Sequence, residues 1–135
     1  SIAGSTVRYT PAAGYAGSDA FTYTVGDGAG GQASATVRVT VQRANQPPTA
    51  HDDSFTVGYS GDWPLNVLAN DTDPDGDALS IVSFTQPSEA VGTVTQDGSR
   101  LVFRSSSRFQ RASFTYTISD GHGGMSTATV TLIDP

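Results

Sequence analysis

The 135-residue sequence contains no cysteine, and this absence excludes disulfides, thiolate metal sites and cysteine nucleophiles. It also contains no lysine, since all seven basic residues are arginine, so a Lys–Asn isopeptide crosslink cannot form. No run of about 18 apolar residues is present, and neither a signal peptide nor an anchor is visible. We therefore expect no direct membrane insertion, and we interpret the sequence as an interior segment of a larger protein.

Positive charge is scarce, with 7 basic against 13 acidic residues and a net charge of −6. This balance disfavours nucleic-acid binding and favours cations. Twelve of the acidic residues are Asp and only Glu89 is Glu. Short carboxylates are typical of turns and of sites for hard cations, so the composition favours Ca²⁺ as the bound ion.

The sequence repeats itself once, incompletely. Residues 19–28 (DAFTYTVGDG) match residues 112–121 (ASFTYTISDG), with an offset of 93 residues between Phe21 and Phe114. A period of this length is typical of tandem small domains. We predict a complete repeat over residues 44–135, the C-terminal half of a preceding repeat over residues 1–43, and a stiff linker over residues 43–48 (RANQPP).

Apolar and polar residues alternate with period two in many short segments. Val37, Val39 and Val41 alternate with polar residues, as do Ala128, Val130 and Leu132. Turn-forming residues bound each segment, and no helical period is sustained. The pattern predicts an all-β fold, an antiparallel β-sandwich of about seven strands, and the 93-residue period predicts a tandem array of such domains. Further strands are expected near residues 50–57, 63–68, 79–84, 92–95, 100–104 and 113–119.

The strongest local motif is NDTDPDGD at residues 70–77, in which Asp71, Asp73, Asp75 and Asp77 recur at every second position. It resembles the opening of an EF-hand loop, but Val82 stands where such a loop needs a bidentate Glu. The alternative is an Asx-rich surface turn. We favour a Ca²⁺ site, because four neighbouring carboxylates repel one another unless a cation lies among them.

A second group of candidate metal ligands surrounds the linker and two Gly-rich turns. Asp52 and Asp53 are adjacent, so their side chains are expected to point to opposite sides of a strand, and one of them to face an inter-domain ion. For Asp27 and Asp120 the alternative is that each simply forms a hairpin turn with the glycine that follows it. The group consists of Asn45, Asp52, Asp53, Asp27 and Asp120.

Three motifs together resemble the bacterial cadherin-like, VCBS-type tandem repeat of large adhesins: residues 45–53 (NQPPTAHDD), 65–77 (LNVLANDTDPDGD) and 114–121 (FTYTISDG). The resemblance spans residues 44–135 and the matching half in 1–43. It implies that the sandwich has an Ig-like (cadherin-like) Greek-key topology. It implies Ca²⁺ ligation by the Asp residues of loop and linker. It further implies a secreted or cell-surface location, type I export, and roles in adhesion, biofilm or polysaccharide binding. One departure is Asp19, which has no acidic counterpart in the second repeat.

Two functions from different classes remain open. The first is a Ca²⁺-rigidified spacer in an adhesin, whose partners are neighbouring repeats and a polysaccharide or host surface ligand. The alternative is a Ca²⁺-dependent carbohydrate-binding module, for which Tyr59 and Trp63 are the freest aromatic residues. We expect no enzymatic activity, because His51 and His122 are far apart in sequence and belong to no catalytic motif.

The half-repeat in residues 1–43 carries apolar strand faces with no front half to cover them. The six-residue linker extends at most about 20 Å, which is too short for these strands to fold back onto the second repeat. We therefore expect either pairing with a second chain, as in a strand-swapped homodimer through residues 1–43, or poor order in solution.

Overall fold

The computed structural model describes residues 1–135, which divide into unit 1 (Ser1–Ala44) and unit 2 (Asn45–Pro135). The boundary between the units lies within residues 43–48. Unit 1 contains strands β1 (Ile2–Ala3), β2 (Thr6–Val7), β3 (Gly17–Gly26) and β4 (Gln32–Val41). Unit 2 contains β5 (Asp53–Thr56), β6 (Asp62–Leu65), a 3-10 helix (Val67–Asn70), β7 (Ser80–Phe84), β8 (Gly92–Asp97), β9 (Arg100–Ser105), β10 (Arg111–Ser119) and β11 (Met125–Ile133). None of the elements is a helix with the length and apolar character needed to cross a membrane.

Unit 2 is built from two sheets, one with the strand order β5-β11-β10-β7 and the other with the order β6-β9-β8. Buried apolar side chains from both sheets form one core, which confirms the predicted all-β Ig-like sandwich. Most strand pairs are antiparallel. The exception is β5, whose residues Asp53–Thr56 run parallel to Val130–Ile133 of β11.

The central hairpin of unit 2 follows directly from the alternating sequence. Phe114, Tyr116 and Ile118 of β10 point into the core, and β11 presents its own apolar residues in register, with Phe114 opposite Val130. Outward positions carry hydroxyls, and the Oγ1 atoms of Thr117 and Thr127 lie 2.7 Å apart across the two strands. Period-two patterning therefore determines which face of each strand is buried.

One predicted strand is wrong at its C-terminal end. The strand expected over residues 63–68 stops at Leu65, and Val67–Asn70 form the 3-10 helix. Leu65 and Val67 are both buried, so their spacing matches strand alternation although the chain has already turned. Short apolar runs do not distinguish a strand from a tight helical turn.

Unit 1 contains a long hairpin in which β3 and β4 pair over ten positions, from Gly17 opposite Val41 to Gly26 opposite Gln32. The small β1–β2 hairpin pairs Ile2 with Val7. Several apolar side chains stay exposed, among them Val25 at 55%. The described strands of unit 1 thus form two hairpins without the second sheet that covers the core of unit 2.

Candidate cation site

Two loops of unit 2 bring acidic side chains together. One loop precedes β7 and carries Asp73 and Asp77, and the other joins β10 to β11 and carries Asp120. Ligand oxygens of these three carboxylates all lie within 4.8 Å of one another. We call this group the acidic cluster. The sequence predicted all three residues as metal ligands. The structure adds that their carboxylates lie close to one another in space.

Asp73 shapes its own loop and leaves one oxygen unused. Its Oδ1 accepts hydrogen bonds from the backbone N–H groups of Asp75 (2.8 Å) and Asp77 (3.1 Å). Gly76 lies between them with φ of 79°, a left-handed conformation that glycine adopts without strain. The Oδ2 of Asp73 is buried and has no hydrogen-bond partner. A buried carboxylate oxygen without a partner is costly unless a cation or another donor meets it.

Asp120 is the most deeply buried member of the cluster, with 3% of its surface exposed. Its Oδ2 accepts a hydrogen bond from Nδ2 of Asn45 (2.8 Å), and its Oδ1 accepts the N–H groups of His122 (2.7 Å) and Gly124 (2.9 Å). The bond from Asn45, followed by the backbone N–H groups, lowers the pKa of Asp120 below its ordinary value despite burial. Asp120 therefore stays ionised.

Gly124 is required by the packing around Asp120. A Cβ at this position would overlap the Asp120 carboxylate and approach Cα of Pro47 to 2.8 Å. Glycine lets the β10–β11 loop, the carboxylate and the start of unit 2 meet closely. The sequence showed this Gly-rich loop only as a turn.

The remaining neighbours of the cluster link it to the linker. Nδ1 of His122 lies 3.2 Å from Oδ2 of Asp77. Asp75 points to the linker, where its Oδ2 accepts the backbone N–H of Gln46 at 2.7 Å and its Oδ1 accepts Nε2 of the same residue at 3.3 Å. Asn45 and Gln46 are thus both held by carboxylates next to or within the acidic cluster.

Asp53 and Asp71 form a separate group around the hydroxyl of Tyr116. This hydroxyl lies 3.1 Å from Oδ2 of Asp53, 2.9 Å from Oδ2 of Asp71, and 3.1 Å from the carbonyl oxygens of His51 and Val67. A phenol donates only one hydrogen, so several acceptors converge on one donor. Burial raises the pKa of Asp53, an effect to which Asp71 adds and which the bond from Tyr116 opposes. Sequence reasoning placed Tyr116 in the core but missed its polar role.

The other two predicted metal ligands, Asp52 and Asp27, accept backbone hydrogen bonds. Oδ1 of Asp52 accepts the backbone N–H of Thr129 at 2.8 Å, which directs this side chain towards β11. Asp27 belongs to unit 1, where its Oδ1 accepts the N–H groups of Ala29 (2.7 Å) and Gly31 (2.9 Å) within the β3–β4 loop. Asp27 thus has the local hydrogen-bonding role that turns favour, whereas Asp52 holds a distant strand.

The two aromatic residues considered for carbohydrate binding have other neighbours. Tyr59 is 52% exposed, but the guanidinium of Arg108 lies 5.1 Å from its ring centroid. Trp63 packs against the core, donates its Nε1–H to the carbonyl oxygen of Ser60 (3.2 Å), and lies so close to Gly58 that a Cβ there would approach the ring to 2.7 Å. Trp63 therefore presents little free ring surface.

The residues of the acidic cluster fit a calcium ion. Ca²⁺ binds carboxylate and carbonyl oxygens in a flexible arrangement of six to eight ligands. The cluster offers three carboxylates, one of which has a buried oxygen without a protein partner. The tyrosine-centred group offers two carboxylates whose oxygens already surround a donor, so it fits an ion less well.

Comparison with known proteins identifies the fold family. The family model described as a bacterial Ig domain matches residues 1–40 and again residues 45–133. No curated protein sequence matches the chain. Among solved structures, the endo-fucoidan hydrolase MfFcnA4 from glycoside hydrolase family 107 is similar over 88% of this chain, at 21% identity and a TM-score of 0.44. The chain spans only 19% of that protein. Since the family model matches nearly the whole sequence in two copies, the chain belongs to the bacterial Ig domain family.

Proposed function

We propose that this chain is a calcium-binding Ig module of a secreted or cell-surface bacterial protein, in which Ca²⁺ stiffens a spacer used in adhesion or biofilm. Two observations at the acidic cluster carry the proposal: carboxylate oxygens of Asp73, Asp77 and Asp120 lie within 4.8 Å of one another, and Oδ2 of Asp73 is buried without a hydrogen-bond partner. A turn needs only the Oδ1 of Asp73, so the turn alone does not account for its second oxygen.

Electrostatics supports an ion at this position. Asp120 is held ionised by Asn45 and by two backbone N–H groups, so its negative charge persists at neutral pH. Asp73 and Asp77 bring two further carboxylates to within 4.8 Å of it. Like charges at this separation repel one another, and a divalent cation would convert that repulsion into attraction.

The linker contacts support the spacer role. Asn45 bonds to Asp120, and Gln46 bonds to Asp75, which lies within the loop of the acidic cluster. An ion that rigidifies this loop would therefore restrict the first residues of unit 2. Restricting the chain at a domain boundary is what a calcium-stiffened tandem array requires, and neighbouring repeats are then the first partners.

Family membership supports the proposed location. Bacterial Ig-like domains often occur in extracellular proteins. The absence of cysteine is compatible with export, because a bound ion supplies the stabilisation that disulfides give other small secreted domains. Type I secretion and the surface ligand, whether a polysaccharide or a host molecule, remain part of the proposal.

A carbohydrate-binding role has less support. Arg108 lies over the Tyr59 ring, and Trp63 is half-buried against Gly58 and the core. We therefore retain the calcium-stiffened spacer as the single proposal.

The proposal predicts that millimolar Ca²⁺ raises the thermal stability of the chain and that chelator removes the effect. A ligand at a hundredfold excess over its Kd stabilises the folded state by about 2.7 kcal/mol. The Asp73→Asn and Asp77→Asn double variant should lose most of this gain. The amide at position 73 keeps an oxygen acceptor for the loop but replaces the unpartnered carboxylate oxygen with a nitrogen that cannot bind the ion. Differential scanning calorimetry with and without Ca²⁺ measures both effects.

Asp97→Asn is the matched control, since Asp97 is the last residue of β8 and pairs with Arg100 of β9 at 2.8 Å. This variant should keep the full response to Ca²⁺. A melting curve of the unmodified chain that is identical in Ca²⁺ and chelator would refute calcium binding. Equal losses in the control and in the double variant would indicate generic charge relief.

A further inference from the structure

Unit 1 repeats the back half of unit 2 in detail, and the β3–β4 loop shows this most clearly. Asp27 Oδ1 accepts two loop N–H groups at 2.7 and 2.9 Å, as Asp120 Oδ1 does in the β10–β11 loop. The N–H of Asp27 bonds to the carbonyl of Gly31 (3.0 Å), as that of Asp120 bonds to Gly124 (3.2 Å). The two loops therefore align residue by residue, and so do the strands beside them.

The small hairpin of unit 1 corresponds to the end of the β8–β9 hairpin. Gly4 turns it with φ of 61°, and Gly98 turns the larger hairpin with φ of 59°. Aligning these glycines places Val7 with Leu101 and Tyr9 with Phe103, while Ser1 aligns with Thr95. Unit 1 thus contains counterparts of the end of β8, the start of β9, and strands β10 and β11.

Equivalent apolar residues have opposite environments in the two units. Leu101, Tyr116 and Ile118 are fully buried in unit 2, each with 0% exposure. Their counterparts in unit 1 are exposed: Val7 at 47%, Tyr23 at 39% and Val25 at 55%. In unit 2 the cover comes from residues 45–94, which contribute the buried residues Val57, Leu65, Val67, Ile81 and Val94. We call residues 45–94 the front half.

A groove in unit 1 marks the place of the missing cover. It has a volume of about 870 Å³ and is lined by Val7, Phe21, Tyr23, Val25 and Val37 among others. Their counterparts in unit 2 line the core against the front half. An exposed apolar surface of this kind is typical of an interaction site.

We infer that unit 1 is an acceptor for the front half of an Ig repeat of the same kind, a segment with the pattern of β5 to β8. The register is set by unit 2, where β5 runs parallel to Val130–Ile133 and β7 runs antiparallel to Tyr116–Ser119. The corresponding edges of unit 1 are residues 37–40 and 23–26. Adding strands there satisfies backbone groups as well as apolar side chains.

One polar contact extends the match. Asp27 Oδ2 lies against Gly31 as Asp120 Oδ2 lies against Gly124, and in unit 2 that oxygen receives the amide of Asn45. The bound segment should therefore begin with an asparagine or another amide donor in the position of Asn45.

A second copy of this chain does not supply the missing half. The front half of unit 2 is already covered by its own β9, β10 and β11. Two chains that exchanged unit 1 would fill one acceptor only by uncovering an equivalent back half. The number of uncovered faces would stay the same, which argues against the strand-swapped homodimer expected from the sequence.

The test extends the full chain at Ser1 with a second copy of residues 45–94, because Val94 is the residue that precedes the counterpart of Ser1. Hydrogen exchange at residues 23–26 and 37–40 should slow at least about a hundredfold relative to the unextended chain. The matched control carries Leu65→Asp in the added copy only, and it should leave exchange in unit 1 fast. Protection in β10 and β11 reports that unit 2 is folded throughout.

A second version adds residues 45–94 as a separate polypeptide to the unmodified chain, with the Leu65→Asp form as its control. Slowed exchange in unit 1 with only the unaltered segment supports the inference, even where the extended chain does not fold. Fast exchange in both versions overturns it, and so does equal protection by the Leu65→Asp form. Light scattering that shows a dimer of the unextended chain, with unit 1 already protected, would identify a second copy as the occupant instead.

Discussion

Tyr116 and Tyr23 occupy the same position in two matching hairpins but differ in their surroundings. The Tyr116 side chain is fully buried, and its hydroxyl is the one donor among the oxygens of His51, Asp53, Val67 and Asp71. Tyr23 is 39% exposed. The pair thus offers a comparison in which the residue type is the same and only the environment differs.

We predict that Tyr116→Phe destabilises unit 2 by about 1–3 kcal/mol, because it removes the donor and leaves buried acceptors without a partner. Urea unfolding followed by circular dichroism measures the change. Tyr23→Phe is the control and should change the free energy of unfolding by less than about 0.5 kcal/mol. A neutral Tyr116→Phe variant would contradict the assigned role of this hydroxyl.

Asp53 illustrates how burial at the tyrosine-centred group affects pH dependence. Burial raises its pKa, the hydrogen bond from Tyr116 partly offsets this, and the neighbouring charge of Asp71 raises the pKa further. A carboxyl with a raised pKa in the folded state contributes stability that is fully present below its unfolded pKa. That contribution is lost as the pH rises through the folded value. At neutral pH and without calcium, the ionised Asp53 therefore works against folding.

We predict that Asp53→Asn stabilises the chain at pH 7 in chelator, since the amide keeps an acceptor for Tyr116 and removes the charge. The advantage should shrink as the pH falls through the raised pKa of folded Asp53, and it should be absent below the ordinary value of 3.8, where Asp53 is protonated in both states. Urea unfolding at pH 3, 5 and 7 measures this. Asp52→Asn is the control: the Asp52 charge adds only slightly to the raised pKa of Asp53, so this variant should show a much smaller stabilisation. A variant less stable than the unmodified chain at pH 7 would refute the prediction.

At the scale of the elements, the sequence predicts those parts of the fold that depend on local alternation. Strands β10 and β11 are predicted correctly because Phe114, Tyr116 and Ile118 recur at every second position and face a core. The 3-10 helix is missed because Leu65 and Val67 keep the same spacing through the turn. The parallel pairing of β5 with β11 is also missed, since alternation does not specify which strand becomes a neighbour.

The sequence predicts which residues could bind an ion, but it does not predict which of them come together in space. The motif at residues 70–77 identifies the loop and the chemistry of its ligands. It does not show that Asp75 points to the backbone of Gln46, or that Asp120 joins Asp73 and Asp77. These arrangements depend on contacts between segments far apart in the sequence, and side-chain direction in a turn depends on single glycines such as Gly76.

At the scale of the whole molecule, every side chain of the buried apolar core belongs to unit 2. Removing residues 1–42 takes no side chain from this core, so we predict that it changes the melting temperature of the chain by less than about 2 °C. For scale, a change of about 1 kcal/mol in the free energy of unfolding shifts the melting temperature of a domain of this size by about 4–8 °C. Scanning calorimetry measures the transition. Leu132→Ala is the positive control and should lower the melting temperature strongly, because it opens a cavity in the core. A large loss in the truncated chain would show that unit 1 contributes to the core transition.

The parallel pairing of β5 with β11 has a mechanical consequence. The first and last strands of unit 2 lie side by side and run in the same direction, so a tensile load applied to the two ends of the unit pulls them past each other. The backbone bonds that join Asp53–Thr56 to Val130–Ile133 then resist in shear and must break together, whereas the strands of a hairpin pulled from one end separate one pair at a time. In unit 1 the edge of β4 has no such partner strand. In a serial array of such domains the same tension would pass through every repeat, so a repeat in which this edge is paired would resist unfolding more strongly than one in which it is unpaired.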